Sequence, residues 1–276
     1  MERHTSELRG KRVLVTGGSR GIGKSIVLAF LRHGACVVFA HHADTAAAAS
    51  LSDENNVTGG RLFGFDADVA DEAAVTALIE FAQQRLGGID IAVNNAGILC
   101  RSYLVDMTAT EFDRVIAVNL RGTFLVGRAV ARVMRKQGVS DGRIINLSSG
   151  ASVSGRAGGA HYCSSKAAIN MLTKVMAIEL TPLGITVNAI APGLIEVPDA
   201  DLTREYVDAI VSGIPARRIG QPADIARAAL FVAEPASDFI SGSVIFVDGG
   251  SGSGRTTLPL SSKSKQEARQ AQSGTD

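Results

Sequence analysis

The chain has 276 residues, of which 46% are hydrophobic and 20% are charged, and its formal net charge at pH 7 is +1. This composition is ordinary for a globular protein with a full apolar core, and the length suits one α/β domain or at most two small ones. The near-neutral charge provides no field that would recruit nucleic acid or an anionic membrane. No apolar run approaches the length that spans a bilayer.

The start of the chain and its cysteines indicate the compartment. The N-terminal stretch "MERHTSELRGKRVLVTGG" has no apolar signal segment before its first predicted strand, which predicts a cytoplasmic protein. The three cysteines, Cys36, Cys100 and Cys163, lie far apart in the sequence and show no metal-binding spacing. We therefore expect reduced thiols and no metal site.

Short β-branched runs alternate with longer helical patterns along most of the chain. Strands are predicted at "RVLVTG", "CVVFA", "RLFGFDADV", "IDIAVNNAG", "GRIINLSS", "GITVNAIAPG" and "SGSVIFVDGG". Helices are predicted at "GIGKSIVLAFLRHGA", "DTAAAASL" and "DEAAVTALIEFAQQRLG", over a long region at 108–137, around "HYCSSKAAINMLTK", in an insert after the sixth strand and at "PADIARAALFVAE". The strands are mostly apolar rather than alternating, which indicates burial on both faces. The pattern predicts a doubly wound, parallel, seven-stranded sheet with helices on both faces, in a single domain.

Both ends of the chain fall outside this pattern. Residues 1–10 are predicted to be an N-terminal extension and residues 11–250 the folded domain. Residues 251–276 are polar and rich in Ser, Gly and Gln, so they are predicted to form a flexible tail. A docking or carrier-binding role for the tail is the alternative.

A glycine-rich segment, "VTGGSRGIG", joins the first predicted strand to the first predicted helix. Gly17, Gly21 and Gly23 would let the backbone turn tightly and approach a pyrophosphate at the helix N-terminus. The alternative is a strand–helix turn that needs glycine for its geometry alone. The segment thus predicts a dinucleotide-binding loop.

The end of the second strand, "VVFAHHAD", bears on which dinucleotide binds. His41 stands where an acid would accept the ribose 2′-OH of NAD(H), and His42 follows it. Asp44 is predicted to lie past the useful position, in the next helix, whereas Arg20 in the glycine loop could meet a 2′-phosphate. We expect NADP(H) to be preferred over NAD(H). The alternatives are a solvated charge at Arg20 and an exposed histidine pair.

Tyr162 and Lys166 stand four residues apart, so they share one helical face. A free phenol has a pKa near 10 and is a poor base at neutral pH. A nearby ammonium is expected to lower that pKa, so that the tyrosine can exchange a proton with a carbonyl oxygen. The alternative is a partly buried tyrosine beside a lysine that extends to solvent.

Together, these motifs resemble the short-chain dehydrogenase/reductase family in its compact single-domain form, with a 3-oxoacyl-reductase-like character. The resemblance runs from about Lys11 to Gly250 and implies a Rossmann-like fold. The segments that carry it are "TGGSRGIG", "DADV", "NNAG", "VNL", "INLSS", "YCSSK", "NAIAPG" and "VDGG".

The resemblance implies four catalytic residues. Tyr162 would be the general acid/base, and Lys166 would bind the nicotinamide ribose and tune the tyrosine. Ser149 would orient the substrate oxygen, with Ser148 the less favoured neighbour. Asn119 would hold a water in a proton relay.

The resemblance also implies a set of cofactor contacts. Asp68 and Val69 would contact the adenine, Pro192 and Gly193 would shape the nicotinamide pocket, and Ile195 would offer backbone groups to the carboxamide. The complete predicted set is Gly17, Ser19, Arg20, Gly21, Ile22, Gly23, His41, His42, Asp68, Val69, Asn95, Ala96, Gly97, Tyr162, Lys166, Pro192, Gly193 and Ile195.

Two positions depart from the family pattern. Val197 stands where the family often has a threonine that touches the nicotinamide or its phosphates, so altered cofactor closure is expected. Leu183 stands where reductases of carrier-bound acyl groups usually have a basic residue, which disfavours a carrier-bound substrate. Residues 194–219 are expected to form a substrate lid, with Arg101 or Tyr103 on another wall.

The predicted function is an NADP(H)-dependent oxidoreductase that interconverts a small-molecule ketone and a secondary alcohol, the carbonyl being 3-oxoacyl, cyclic or from secondary metabolism. The alternatives are an NAD-linked alcohol or sugar dehydrogenase, a sugar-nucleotide epimerase or dehydratase, and a non-catalytic nucleotide-sensing or partner-binding homologue. The Ala-rich helix of Tyr162 and the long helix before it suit close packing between copies, so a homodimer or homotetramer is expected, with no nucleic-acid or membrane partner.

Overall fold

Seven parallel strands form one sheet in the order β3-β2-β1-β4-β5-β6-β7. The computed structural model describes residues 8–53, 59–196 and 204–254. The strands are β1 (Arg12–Thr16), β2 (Cys36–His41), β3 (Leu62–Asp66), β4 (Ile91–Asn94), β5 (Gly142–Leu147), β6 (Ile185–Pro192) and β7 (Val244–Val247). The predicted doubly wound parallel sheet is therefore confirmed.

Helices connect the strands and cover both faces of the sheet. Within the described residues they are α1 (Gly21–Arg32), α2 (Thr45–Asp53), α3 (Glu72–Leu86), α4 (Ala109–Ile116), α5 (Gly122–Gln137), α6 (Ala160–Leu180), α7 (Arg204–Gly213) and α8 (Pro222–Ala233). None of the helices in these ranges is long and apolar enough to cross a membrane.

The core has two halves, one on each side of the sheet. Val13 and Val15 of β1 pack in one buried cluster, together with residues of α1, α2 and α8. Leu14, between them in sequence, packs in the other cluster, with residues of α3, α5 and α6. Because successive side chains of a strand point to opposite faces, this division explains why the strands are apolar at consecutive positions.

The strand order reverses between β1 and β4. β1 pairs with β2 on one side and with β4 on the other, where Val13 aligns with Ile91. The connections on the two sides leave in opposite directions, so a crevice opens at the carboxyl ends of these strands. This crevice is the place where an open α/β sheet binds its ligands.

The predicted helical region at 108–137 is not one continuous helix. α4 starts with a capping box, in which Thr108 and Glu111 bond each other's backbone N–H groups. A π-helical turn, Ala117–Arg121, then separates α4 from α5. Such single turns add a residue to the helical ladder and occur often at functional sites. The apolar periodicity of the sequence continues through it, which is why the turn was not predicted.

The segment predicted as an N-terminal extension contributes to the core. Leu8 is 1% exposed and packs in the same cluster as Val13 and Phe30. The hydrophobic core therefore includes a residue that precedes the first strand. Residues 1–7 of the extension and residues 255–276 of the predicted tail lie outside the described ranges.

Candidate active site

A cavity of about 630 Å³ lies at the carboxyl edge of the sheet. Its walls come from segments that follow β1, β2, β3, β4, β5 and β6 and from the first half of α6. Of the predicted site residues, the following line it: Gly17, Ser19, Arg20, Ile22, Gly23, His41, His42, Asp68, Val69, Asn95, Ala96, Gly97, Ser149, Tyr162, Lys166, Pro192, Gly193 and Ile195. Gly21 and Asn119 do not line it.

The glycine loop is closely packed against the end of β4. Gly17 has a φ of 62°, and a Cβ built there would lie 2.9 Å from the Cα of Ala96. A Cβ at Gly23 would lie 2.0 Å from the carbonyl oxygen of Gly17. Asn95 fixes this arrangement, since its Nδ2 donates to the carbonyl oxygens of Thr16 at 3.0 Å and Gly17 at 2.8 Å. Both glycines are therefore required by the backbone geometry.

The glycine loop places the N-terminus of α1 at the cavity. Arg20 is the N-cap residue and makes no side-chain capping hydrogen bond, and Gly21 begins the helix with a φ of 52°. The first-turn N–H groups and the positive end of the helix dipole are thus left for an anion. The geometry fits the pyrophosphate of a dinucleotide, which the glycines allow to approach the backbone.

Asp44 lies at the cavity, although the sequence predicted it to lie past the useful position, in the next helix. Its carboxylate lines the cavity, where Oδ2 accepts a hydrogen bond from Ser19 Oγ at 2.8 Å and lies 3.8 Å from Arg20 Nε. The cause is Ala43, whose φ of 53° is in the left-handed region and turns the chain back towards the glycine loop. An acid therefore does lie at this end of the cavity, paired with the 74% exposed side chain of Arg20.

The two histidines after β2 differ in their surroundings. Both line the cavity. His42 Nδ1 lies 3.6 Å from Asp66 Oδ1 on the surface. His41 Nδ1 is buried and has no hydrogen-bond partner among the described residues. Within those residues no group of three or more metal-ligating side chains occurs.

Lys166 is held in place by a backbone carbonyl. Its Nζ donates to the carbonyl oxygen of Leu147 at 2.7 Å and lies 5.7 Å from the centroid of the Tyr162 ring. One helical turn separates the two residues on α6, as their spacing predicted. Burial lowers the pKa of Lys166 to about 8. The ammonium is therefore close to its titration range at neutral pH.

Tyr162 holds its proton more firmly than the sequence predicted. Burial raises the pKa of its phenol above the ordinary value, while a hydrogen bond with Ser149 and the charge of Arg156 act in the opposite direction. The burial effect is the largest of these, so the phenol is protonated at neutral pH. The predicted lowering of its pKa by Lys166 is not found.

Ser148 and Ser149 have different partners. Ser148 Oγ donates to Asn170 Oδ1 at 2.6 Å, so its hydroxyl is committed to α6. Ser149 Oγ accepts from the backbone N–H of Ala151 at 3.1 Å and bonds Tyr162. Ser149 is therefore the serine whose hydroxyl adjoins the phenol.

Asn119 lies behind the cavity wall in the π-helical turn. Its Oδ1 accepts from the N–H of Ile98 at 2.8 Å, and its Nδ2 donates to the carbonyl oxygen of Ile98 at 3.0 Å and to Ser165 Oγ at 3.2 Å. These bonds fix the segment after β4 against α6. The side chain thus supports the wall beside Lys166, and its predicted water relay stays a prediction.

The cavity also has lining residues that the sequence did not predict. Arg156 and Arg114 are among them, and Arg101, which was a candidate substrate contact, lines the cavity as well. Tyr103, the other candidate, is not among the lining residues and is 68% exposed. The only sequence signal for Arg156 is its place in the glycine-rich segment before Tyr162, "SGRAGGAHY". Val197 lies outside the described residues.

Comparisons with known proteins agree with this geometry. A family model described as enoyl-(acyl carrier protein) reductase matches residues 17–252. The chain is 40% identical to the versicolorin reductase of Emericella nidulans over 257 residues, which cover 88% of this chain and 96% of that relative. It is 38% identical to a 3-oxoacyl-[acyl-carrier-protein] reductase of Thermotoga maritima, over 88% of this chain and 98% of the relative.

Solved structures are similar over the same region. A short-chain type dehydrogenase/reductase from Mycobacterium marinum has a TM-score of 0.83 at 38% identity, covering 91% of this chain and 97% of its own. A 7α-hydroxysteroid dehydrogenase, complexed with NADH and 7-oxo glycochenodeoxycholic acid, has a TM-score of 0.85 at 37% identity, covering 91% and 98%. The chain therefore belongs to the short-chain dehydrogenase/reductase family and is an oxidoreductase.

Proposed function

We propose that this protein is an NADP(H)-dependent reductase of a small-molecule ketone, reversible to a secondary-alcohol dehydrogenase. One observation carries the proposal. Ser149, Tyr162 and Lys166 meet in one wall of a cavity whose other end is the glycine loop and the N-terminus of α1. A dinucleotide held by its pyrophosphate at that loop would extend towards the three side chains.

Each side chain has a separate role in the proposed reaction. When bound, the reduced nicotinamide supplies a hydride to the carbonyl carbon. Tyr162 Oη gives its proton to the carbonyl oxygen, forming the alcohol and leaving a phenolate that regains a proton from solvent. Ser149 orients the same oxygen. Lys166, anchored on Leu147, would bind the nicotinamide ribose. The Ser149 hydroxyl and the charge of Arg156 favour the phenolate as it forms.

The cofactor preference rests on Arg20. Its exposed guanidinium lies at the ribose end of the cavity, where it would pair with a 2′-phosphate. Asp44 acts against this preference, because its carboxylate repels a 2′-phosphate. The same carboxylate can accept a hydrogen bond from the ribose 2′-OH of NADH. We therefore infer that NADPH binds more tightly than NADH by a modest factor.

The substrate is proposed to be a free small molecule rather than a carrier-bound one. The names of the relatives describe a versicolorin reductase, reductases of carrier-bound 3-oxoacyl groups and a dehydrogenase of a hydroxysteroid, all of which act on carbonyl or alcohol groups. Leu183 is half-exposed just before β6 and presents no positive charge for a carrier.

We also propose that residues 194–219 form a lid over the substrate. Residues 1–10 are proposed to be an N-terminal extension and residues 251–276 a flexible tail.

The apolar surface of α5 and α6 supports assembly into a homodimer or homotetramer. Met171, Val175 and Ile178 recur on one face of α6 and are exposed, Ile178 to 76%. Phe124 at the start of α5 is also exposed. Apolar surface of this kind on a helix pair is typical of interfaces between identical copies.

The test is ketone reduction by Tyr162→Phe across a range of pH. We expect wild-type kcat/KM to be constant up to about pH 8 and to fall above it, since Tyr162 stays protonated while Lys166 loses its charge. Tyr162→Phe should lower kcat/KM about 10²- to 10⁴-fold. The measurement is loss of NADPH absorbance with 3-oxoacyl thioesters, cyclic and aromatic ketones, a keto-sugar and a quinone.

Tyr103→Phe is the matched control, because this exposed tyrosine lies outside the cavity wall. The activity of Tyr103→Phe should equal that of the wild type. Tyr162→Phe should still bind NADPH, as measured by the change in NADPH fluorescence. Equal turnover by Tyr162→Phe would refute the acid/base role. Tight NADPH binding without turnover of any carbonyl would instead favour the non-catalytic, nucleotide-sensing alternative.

A further inference from the structure

The face of α6 that carries Tyr162 and Lys166 continues one turn further, to Asn170. The three residues stand four apart, so their side chains lie one above another on the same side of the helix. Asn170 is half-buried and is not among the described residues that line the cavity. The proposed reaction therefore gives this side chain no direct part, although it shares the face of the reacting tyrosine.

The amide of Asn170 bonds two serines that flank Ser149. Ser148 Oγ donates to Asn170 Oδ1 at 2.6 Å, and Asn170 Nδ2 donates to Ser152 Oγ at 2.9 Å. One amide thus spans the short helical turn Gly150–Ser152, whose N-cap is Ser149. A shift of this turn away from α6 would break at least one of the two bonds.

Hydrogen bonds inside the turn hold the Ser149 hydroxyl. Its Oγ accepts from the N–H of Ala151 at 3.1 Å, and the Ser149 carbonyl oxygen accepts from the N–H of Ser152 at 2.9 Å. These bonds fix the hydroxyl relative to the turn. The Asn170 amide fixes the turn relative to α6, which carries Tyr162.

The end of β5 is joined to α6 through three consecutive residues. Each bonds a different residue of the face described above, in the pairs Leu147–Lys166, Ser148–Asn170 and Ser149–Tyr162. The first pair holds the ammonium, and the third joins the two hydroxyls that are proposed to meet the substrate oxygen. The middle pair contains no reacting group, so its contribution is to the geometry of the other two.

We propose that Asn170 is a positioning residue, which holds the Ser149 hydroxyl where it can bond Tyr162 and the substrate oxygen together. This inference rests on the proposed reductase function and adds a residue that acts through Ser149. A misplacement of about 1 Å at a reacting centre can lower a rate about 10²-fold. The effect should appear in kcat rather than in cofactor affinity, because Asn170 does not line the cavity.

Asn170→Leu tests the inference, since leucine has nearly the shape of asparagine and can bond neither serine. With the ketone that the wild type reduces fastest, we expect kcat to fall about 10- to 100-fold. The dissociation constant of NADPH, measured by fluorescence, should change by less than about twofold. Asn170→Asp should keep kcat within about threefold of the wild type, because its carboxylate can accept hydrogen bonds from both serine hydroxyls.

The decisive measurement combines Asn170→Leu with Ser149→Ala. If Asn170 acts through the Ser149 hydroxyl, Asn170→Leu should lower kcat by less than about twofold once that hydroxyl is gone. A full further loss of kcat in the double variant would show that Asn170 supports α6 in general, and the inference would be wrong. Unchanged kcat in Asn170→Leu alone, or an equal loss of NADPH affinity, would also overturn it.

Thr173→Val is the matched control. Thr173 is fully buried on α6, and its hydroxyl accepts from Asn146 Nδ2 at 2.9 Å, so the substitution also removes a polar contact between α6 and β5. The contact is remote from the serine turn, and kcat should equal that of the wild type at a temperature where both proteins are folded. A loss as large as that in Asn170→Leu would contradict the inference. No ketone turnover by the wild type would contradict the proposed function instead.

Hydrogen exchange gives a readout that needs no turnover. The N–H groups of Ala151 and Ser152 both bond Ser149, so their exchange reports how firmly the turn is held. We expect these groups to exchange faster in Asn170→Leu than in the wild type and in Thr173→Val. Equal exchange in the three proteins would show that the amide does not fix the turn.

Discussion

At the scale of single residues, the carboxylate of Asp44 lies beside Arg20, the residue whose positive charge we propose to favour NADPH. Ser19 and Arg20 both engage its Oδ2, while Oδ1 has no hydrogen-bond partner in the part of the chain that the structure describes. A ribose hydroxyl can donate to that free oxygen, whereas a 2′-phosphate is repelled by it and attracted by Arg20. We therefore propose that the two side chains set the cofactor preference jointly.

Asp44→Asn is expected to bind NADPH about tenfold more tightly and NADH more weakly, because the substitution removes the repulsion and a strong acceptor. Arg20→Ala should have the opposite effect on NADPH. Dissociation constants from cofactor fluorescence check both variants without any substrate. A parallel change in the two affinities would show that Asp44 only supports the loop. In the double variant, the two effects should not add, since the residues are in contact.

Asp44 also shows which positions the sequence does not predict at this scale. Residues that follow a strand within one or two positions were placed correctly, as Gly17, Asn95 and Ser149 show. The position of Asp44 was not predicted correctly, because it depends on a positive φ at Ala43. Alanine does not favour that conformation, so the sequence contains no signal for it. The raised pKa of Tyr162 was missed for a similar reason, since burial is set by distant segments.

At the scale of elements, the glycine loop and α1 form one unit with tight internal contacts. Gly23 belongs to the first turn of α1, yet its Cα faces the carbonyl of Gly17. The sequence predicted this unit because three glycines in a strand–helix connection have few other uses. The π-helical turn after α4 was not predictable, because its residues continue the apolar helical pattern.

Gly23→Ala should disrupt this element. The added Cβ would lie 2.0 Å from Gly17 O, so the loop must move and the pyrophosphate site with it. We expect a loss of about 1–3 kcal/mol in the free energy of unfolding and at least about tenfold weaker NADPH binding. Thermal unfolding and fluorescence titration measure the two effects. Gly213→Ala is the control, since a Cβ there meets nothing within 4 Å. Wild-type cofactor affinity in Gly23→Ala would mean that the loop does not hold the phosphates.

At the scale of the whole molecule, the exposed face of α6 predicts assembly. Ile178→Asp should shift the protein from a dimer or tetramer to a smaller species, because a carboxylate cannot be buried unpaired in an apolar interface. Light scattering after size-exclusion chromatography gives the mass. Glu80→Lys, a charge change on exposed α3, should keep the wild-type mass. A monomeric wild type would refute the prediction.

The sheet was predictable as a whole because its signals are redundant. Seven apolar strands separated by helices allow few arrangements, and the two core clusters on either side of β1 follow from that topology. The shape of the cavity beyond Tyr162 was not predictable, because it depends on where the turn at Gly158 and Gly159 places Arg156. Local sequence patterns determine the sheet and the helices that cover it. Long-range contacts determine the shape of the cavity beyond Tyr162.

The central position of β1 has a consequence for how the protein is made. β1 can pair with β2 soon after synthesis, but its other neighbour, β4, follows only after β3 and α3. Until then a nascent chain on the ribosome presents an unpaired apolar edge, which invites association with other chains. Because parallel pairings of this kind close long loops, folding should be slow, and the chain should benefit from chaperones that shield β1 until β4 arrives.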